Sequence, residues 1–176
     1  PGTAFDIKKD VLGRFLASLS YTLTAAQQKV LDEIMIDLKK STPMIRLLQG
    51  EVGSGKTVVA TAALLVAVAN GFQTAFMAPT EILAEQHFGT LCGMLRKLGR
   101  EDGEGNVKSF TGFLPEPLTV ALLIGDMKQA GKRKIQQRIA GGEIDIVIGT
   151  HALVQKDLEF KNLGFAVVDE QHRFGV

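Results

Sequence analysis

The sequence is short of the features that mark several protein classes. One cysteine, Cys92, stands alone among 176 residues, so no internal disulfide can form and a reducing compartment suits the chain. Charge of one sign is not in excess. The formal net charge is +1, which gives no overall nucleic-acid signature, so any claim of DNA binding must rest on local features. No apolar run approaches the ~18 residues that a membrane span requires, so no membrane partner is expected. No internal repeat is visible. The opening Pro1-Gly2-Thr3 has neither a methionine nor a signal-peptide pattern, and Val176 follows closely on a strong motif. The expectation is a piece of a longer chain. What is present is ordinary for a globular domain with a real core, with 45% hydrophobic and 22% charged residues.

Val11, Leu12, Phe15 and Leu16 fall at helical spacing, which predicts a helix over 5–19. A second helix is expected from Thr24, with Gln27 three residues on in a capping-box pattern and an apolar stripe through Val30, Leu31, Ile34 and Leu38. Beyond Pro43 the texture changes to short apolar runs alternating with helical patterns. Strands are expected over 45–48, 74–78, 120–124, 144–148 and 165–168. Helices are expected over 56–70 with Gly71 as the stop, over 81–98 with Thr80 as the cap, and over 131–140 before Gly141-Gly142. Apolar strands without alternation belong where both sheet faces are covered, so the fold predicted is α/β, a doubly wound parallel sheet with helices on both faces. Residues 100–117 break this rhythm where a turn of ~2–6 residues would suffice, and are expected to be a mobile insertion.

Gly50-Glu51-Val52-Gly53-Ser54-Gly55-Lys56-Thr57 fits the phosphate-binding pattern G-x-x-x-x-G-K-[ST], between an expected strand and an expected helix. Gly50, Gly53 and Gly55 let the backbone curl, so that successive N–H groups, Ser54's included, face an anion. The helix N-terminus adds its unpaired amides and dipole. Lys56 would reach the β- and γ-phosphates of ATP, and Thr57 would give a hydroxyl to Mg²⁺. At the end of the last strand stand Asp169 and Glu170. Asp-Glu after a strand is ordinarily a solvated turn. Beside a phosphate cradle the pair reads instead as Asp169 for Mg²⁺ and Glu170 for the attacking water, since a buried carboxylate needs a compensating charge. His87 and Cys92 supply only two ligands where four are usual, and are set aside as a metal site.

Asp169-Glu170-Gln171-His172 resembles the DExH box of superfamily 2 helicases, and its extension through Arg173-Phe174-Gly175-Val176 resembles the RecG family. The cradle with Val58-Val59-Ala60, the stretch from Met77 to His87, and Ile148-Gly149-Thr150-His151-Ala152-Leu153 agree with that family. Glu51 and Asp126 depart from its usual Asp and Ser. The resemblance implies a RecA-like first motor lobe over 21–176, cut after the acidic box, with 1–20 a helix leading in from a preceding domain. It implies ATP and Mg²⁺ as cofactors, branched or forked duplex DNA as partner, and a second motor lobe and a wedge domain in the same chain. Gln27 would read adenine, a use that competes with its place in the capping box. Pro79-Thr80 and Thr150-His151 resemble DNA-contacting segments, with a helix cap and a structural histidine as the plain alternatives. Gln171 and His172 would couple nucleotide state to DNA and the second lobe. Lys128, Lys132 and Arg133, with Lys134 and Arg138, form a basic cluster that is either a solvated face or a DNA contact.

The function implied is a DNA-dependent ATPase and helicase that remodels stalled forks and drives branch migration, in a bacterial cytoplasm by default or in an organelle. The alternatives are a transcription-repair coupling translocase and a nucleotide-gated DNA-binding module without turnover. A small-molecule kinase would need an acceptor pocket and an arginine-rich lid, which 89–142 does not suggest.

Overall fold

The computed structural model describes residues 2–38, 44–49, 54–152 and 158–170. In chain order the elements are α1 (Gly2–Ala17), α2 (Ala25–Leu38), β1 (Met44–Gln49), α3 (Ser54–Ala69), β2 (Gln73–Ala78) and α4 (Glu81–Leu95). There follow β3 (Arg100–Asp102), β4 (Val107–Thr111), β5 (Leu118–Leu123), α5 (Gln129–Ala140), β6 (Ile146–Thr150) and β7 (Leu163–Glu170). The sheet has seven strands in the order β1-β7-β2-β6-β5-β4-β3. The five from β1 to β5 in that order run parallel, and β4 and β3 are antiparallel additions.

The helix boundaries follow local chemistry. The Thr24 hydroxyl accepts from the Gln27 N–H at 3.1 Å, and the Gln27 Oε1 accepts from the Thr24 N–H at 2.8 Å. This closes the predicted capping box at the start of α2. Gly71 (φ +89°) ends α3, with the Gly71 N–H on the Val68 carbonyl and the Phe72 N–H on the Ala67 carbonyl. That is the Schellman pattern, which only a left-handed residue can close without strain. Thr80 caps α4 by accepting from the Leu83 N–H at 3.2 Å.

Strand alternation sorts the core onto two faces. Val120, Leu122, Ile146, Ile148 and Val167 pack with α1 to α4 through Phe15, Leu31, Leu64 and Leu95. Ala121, Leu123 and Val147 face the other way, against Ile135 and Ile139 of α5. Helix α1 is built into the first face. Val11 and Phe15 are buried there, and the Arg14 Nη1 donates to the Phe113 carbonyl at 2.8 Å with its guanidinium over the Phe113 ring.

Two expectations are corrected. Residues 100–117 are not all loop: Arg100–Asp102 and Val107–Thr111 form β3 and β4, which extend the sheet antiparallel from β5 and make it mixed, not wholly parallel. The reason is apolar content. Phe110 is fully buried and Phe113 nearly so, enough to hold a short hairpin on the core despite the polar turn. That turn needs Gly103 (φ +96°), where a Cβ would lie 2.6 Å from the Val107 carbonyl oxygen.

Candidate nucleotide site

All five parallel strands end at one sheet edge, and nearly every candidate residue follows one of those ends. β1 leads into the cradle motif and, across a gap in the described residues, to α3, which contains Ser54, Gly55, Lys56 and Thr57. β7 lies next to β1, with Leu48 paired to Asp169 and Gln49 to Glu170. The acidic pair is therefore delivered beside the last residues before the cradle, where a crossover leaves a crevice in a parallel sheet. Gly50, Gly53, Gln171 and His172 lie outside the described residues. Pro79 and Thr80 follow β2, Thr150 ends β6 with His151 next after it, and Lys128 follows β5. The Glu81 carboxylate accepts from the Gly125 N–H at 2.8 Å, tying the segment after β2 to the one after β5. Lys128 and Arg133 are exposed and Lys132 is half-buried, on the α5 face of the sheet. Gln27 stands apart at the start of α2, and its Oε1 serves the cap.

Asp169 is 1% exposed. Its Oδ2 accepts from the His87 Nε2 at 2.8 Å, the geometry of a short, charge-assisted bond. His87 is buried too, with its ring 4.5 Å from that of Phe76 between centroids. The other carboxylate oxygen, Oδ1, is buried and has no hydrogen-bond partner among the described residues. A buried unpaired carboxylate oxygen is costly, and a cation or its bound water would satisfy it. Thr57, the residue whose hydroxyl the motif offers to the same ion, is also buried, at the first turn of α3. These residues fit a magnesium ion. Among the described residues no three His, Cys, Asp or Glu side chains cluster to hold a metal by themselves. Magnesium is ordinarily held by few protein groups, with substrate phosphates and water completing the shell.

Sequence reasoning set His87 aside, and 82 residues separate it from its partner. One signal was available. His87 occupies the buried stripe of α4 with Ala84, Leu91 and Leu95, and a polar ring on such a stripe requires a partner. The Nε2 of His151 is a second buried polar atom, after the Asp169 Oδ1, without a partner among the described residues.

A phosphate-binding motif between a parallel strand and a helix, with a carboxylate pair on the neighbouring strand, defines a RecA-like P-loop nucleoside triphosphatase lobe. The chain belongs to the DEAD/DEAH box helicase family, which it matches over residues 24–176. It is 49% identical over 159 residues to the ATP-dependent DNA helicase RecG of Streptococcus pneumoniae, covering 90% of this chain and 21% of that protein. It is 49% identical over 162 residues to RecG of Thermotoga maritima, covering 92% of this chain and 18% of that one. The chain thus spans about a fifth of the length of these relatives. Among solved structures it resembles RecG bound to a three-way DNA junction, with a TM-score of 0.69 and 37% identity over 92% of this chain and 22% of that one. No helix among the described residues is long and apolar enough to cross a membrane.

Proposed function

We propose that this chain is the ATP-binding lobe of a DNA-dependent ATPase that acts on branched or forked duplex DNA, in fork remodelling and branch migration. The observation that carries the reading is the β1–β7 register, which brings the end of the cradle strand and the Asp169-Glu170 pair to neighbouring positions. The unpaired Asp169 Oδ1 supports it. In this reading the Gly50–Thr57 loop and the N-terminus of α3 cradle the phosphates, including the amides of Gly53, Ser54 and Gly55. Lys56 neutralises the β- and γ-oxygens. Magnesium, when bound, screens the phosphate charge and polarises the γ-phosphorus; Thr57 and Asp169 are the groups that would hold it. Glu170 orients the attacking water and accepts its proton. Gln27 contacts adenine, which requires its Oε1 to be shared with or released from the helix cap.

Pro79, Thr80, Thr150 and His151 lie along the same sheet edge and contact the DNA backbone. Lys128, Lys132 and Arg133 add salt-sensitive affinity that is independent of sequence. Gln171 and His172 pass the nucleotide state to DNA and to a second motor lobe. Such motors close on ATP with an arginine from that lobe, worth ~10³–10⁵ in rate, so the 176-residue chain alone turns over ATP near background.

The test is steady-state ATP hydrolysis by a full-length protein carrying this lobe, with and without forked DNA. Glu170→Gln is expected to lower kcat by at least ~10²-fold while nucleotide affinity is kept. Full turnover in the Glu170→Gln or Lys56→Ala protein would refute the assignment. So would turnover above ~1 s⁻¹ by the isolated chain.

A further inference from the structure

We propose that His87 is a positioning residue for Asp169: it fixes the plane of the carboxylate through Oδ2 and so presents Oδ1 to the magnesium ion. The inference rests on the reading of Asp169 as a magnesium-holding group and adds a residue to it. A carboxylate can turn about its Cβ–Cγ bond to offer either oxygen or neither. Here Oδ2 is held at 2.8 Å by a ring nitrogen whose side chain is 6% exposed, against 1% for the aspartate. A carboxylate oxygen accepts, so the ring Nε2–H is the donor in this pair. The ring is itself confined. Phe76 of β2 packs against it, and its helix is seated by Ala84, Leu91, Cys92 and Leu95.

The oxygen that His87 holds is satisfied, and the oxygen it leaves is buried with no hydrogen-bond partner among the described residues. An apolar residue at 87 would leave two unsatisfied oxygens and a carboxylate free to rotate. Groups that orient a metal-holding residue through a hydrogen bond are typically worth 10- to 100-fold in metal affinity. Helix α4 also starts at Glu81, capped by Thr80 and tied through the Glu81 carboxylate to Gly125. His87 therefore stands on the same rigid rod as a proposed DNA-contacting segment, two turns further along.

The test uses a full-length protein carrying this lobe, with Mn²⁺ binding in the presence of ADP measured by electron paramagnetic resonance. The Mg²⁺ concentration for half-maximal ATPase is read alongside it, and DNA affinity without nucleotide serves as a control. His87→Gln places an amide N–H the same number of bonds from the backbone as the Nε2; His87→Asn is one atom short. We expect Mn²⁺ affinity within ~3-fold of wild type for Gln and a loss of ~10- to 100-fold for Asn, with a matching rise in the Mg²⁺ requirement and unchanged DNA affinity. Folded Asn protein with wild-type Mn²⁺ affinity would overturn the proposal, as would an equal loss in both variants. Should Asn unfold the lobe, Gln decides alone: retained affinity supports the role, and a loss of ~10-fold or more in folded protein sinks it. If the wild type binds Mn²⁺ with ADP no better than its Lys56→Ala variant, the nucleotide-site reading has failed first and takes this inference with it.

Discussion

Asp145 offers a measurement that needs no nucleotide. It lies just before β6, at the sheet edge opposite the candidate site. Its Oδ2 accepts from the Thr119 N–H at 2.9 Å, and its carbonyl accepts from the Thr74 N–H and hydroxyl at 2.8 and 3.1 Å. Burial pushes its carboxyl up from the ordinary 3.8 to about 6; the Thr119 bond opposes the rise and the charge of Glu116 adds to it. The folded chain therefore holds this proton more tightly than the unfolded chain. Stability from that source is full below about pH 3.8 and is lost as pH rises through about 6. Each pH unit between the two values is worth about 1.4 kcal/mol, which bounds the effect near 3 kcal/mol. Partial contact with water brings the expected figure to about 1–2 kcal/mol. Asp145→Asn keeps an oxygen for Thr119 and removes the titration. In urea unfolding of the 176-residue chain, the stability of the Asn variant relative to wild type should rise by about 1–2 kcal/mol between pH 4 and pH 8. Carboxylates not coupled to Asp145 cancel in that difference; Glu116 is the coupled one. A flat difference, or one that falls with pH, would refute the reasoning.

Two further outcomes follow from the core. Phe110→Ala should cost about 3–5 kcal/mol in urea unfolding, because the ring is fully buried in β4. A loss under ~1 kcal/mol would mean that the hairpin is a detachable flap and not part of the core. Burial, with the charge of Glu101 adding, pushes the Cys92 thiol up to about 11. A thiol reagent at pH 8 should therefore label the folded chain at least ~100-fold more slowly than the urea-unfolded chain, and equal rates would contradict that placement.

Much of the frame was legible because it is written locally. The capping box of Thr24 and Gln27, the Gly71 stop and the Thr80 cap are contacts within a few residues, and each is present as its pattern predicts. The apolar runs of the parallel strands were equally plain, since burial on both faces leaves no alternation to misread. The hairpin was missed for the opposite reason. Its polar turn and two prolines dominate the composition of 100–117, while the two phenylalanines that hold it down are spaced too far apart to form a run.

The sequence by itself determined that a phosphate-binding sequence pattern runs into a helix and that an acidic pair ends a buried strand. Those are properties of short segments, set by backbone freedom and by side chains within one turn of each other. Only the tertiary structure decided that β7 inserts between β1 and β2, so that the two motifs become neighbours. It also decided that a histidine on α4 meets the aspartate of β7. Strand order and helix docking are chosen by which faces can be buried together across the whole chain, and no local pattern records that choice.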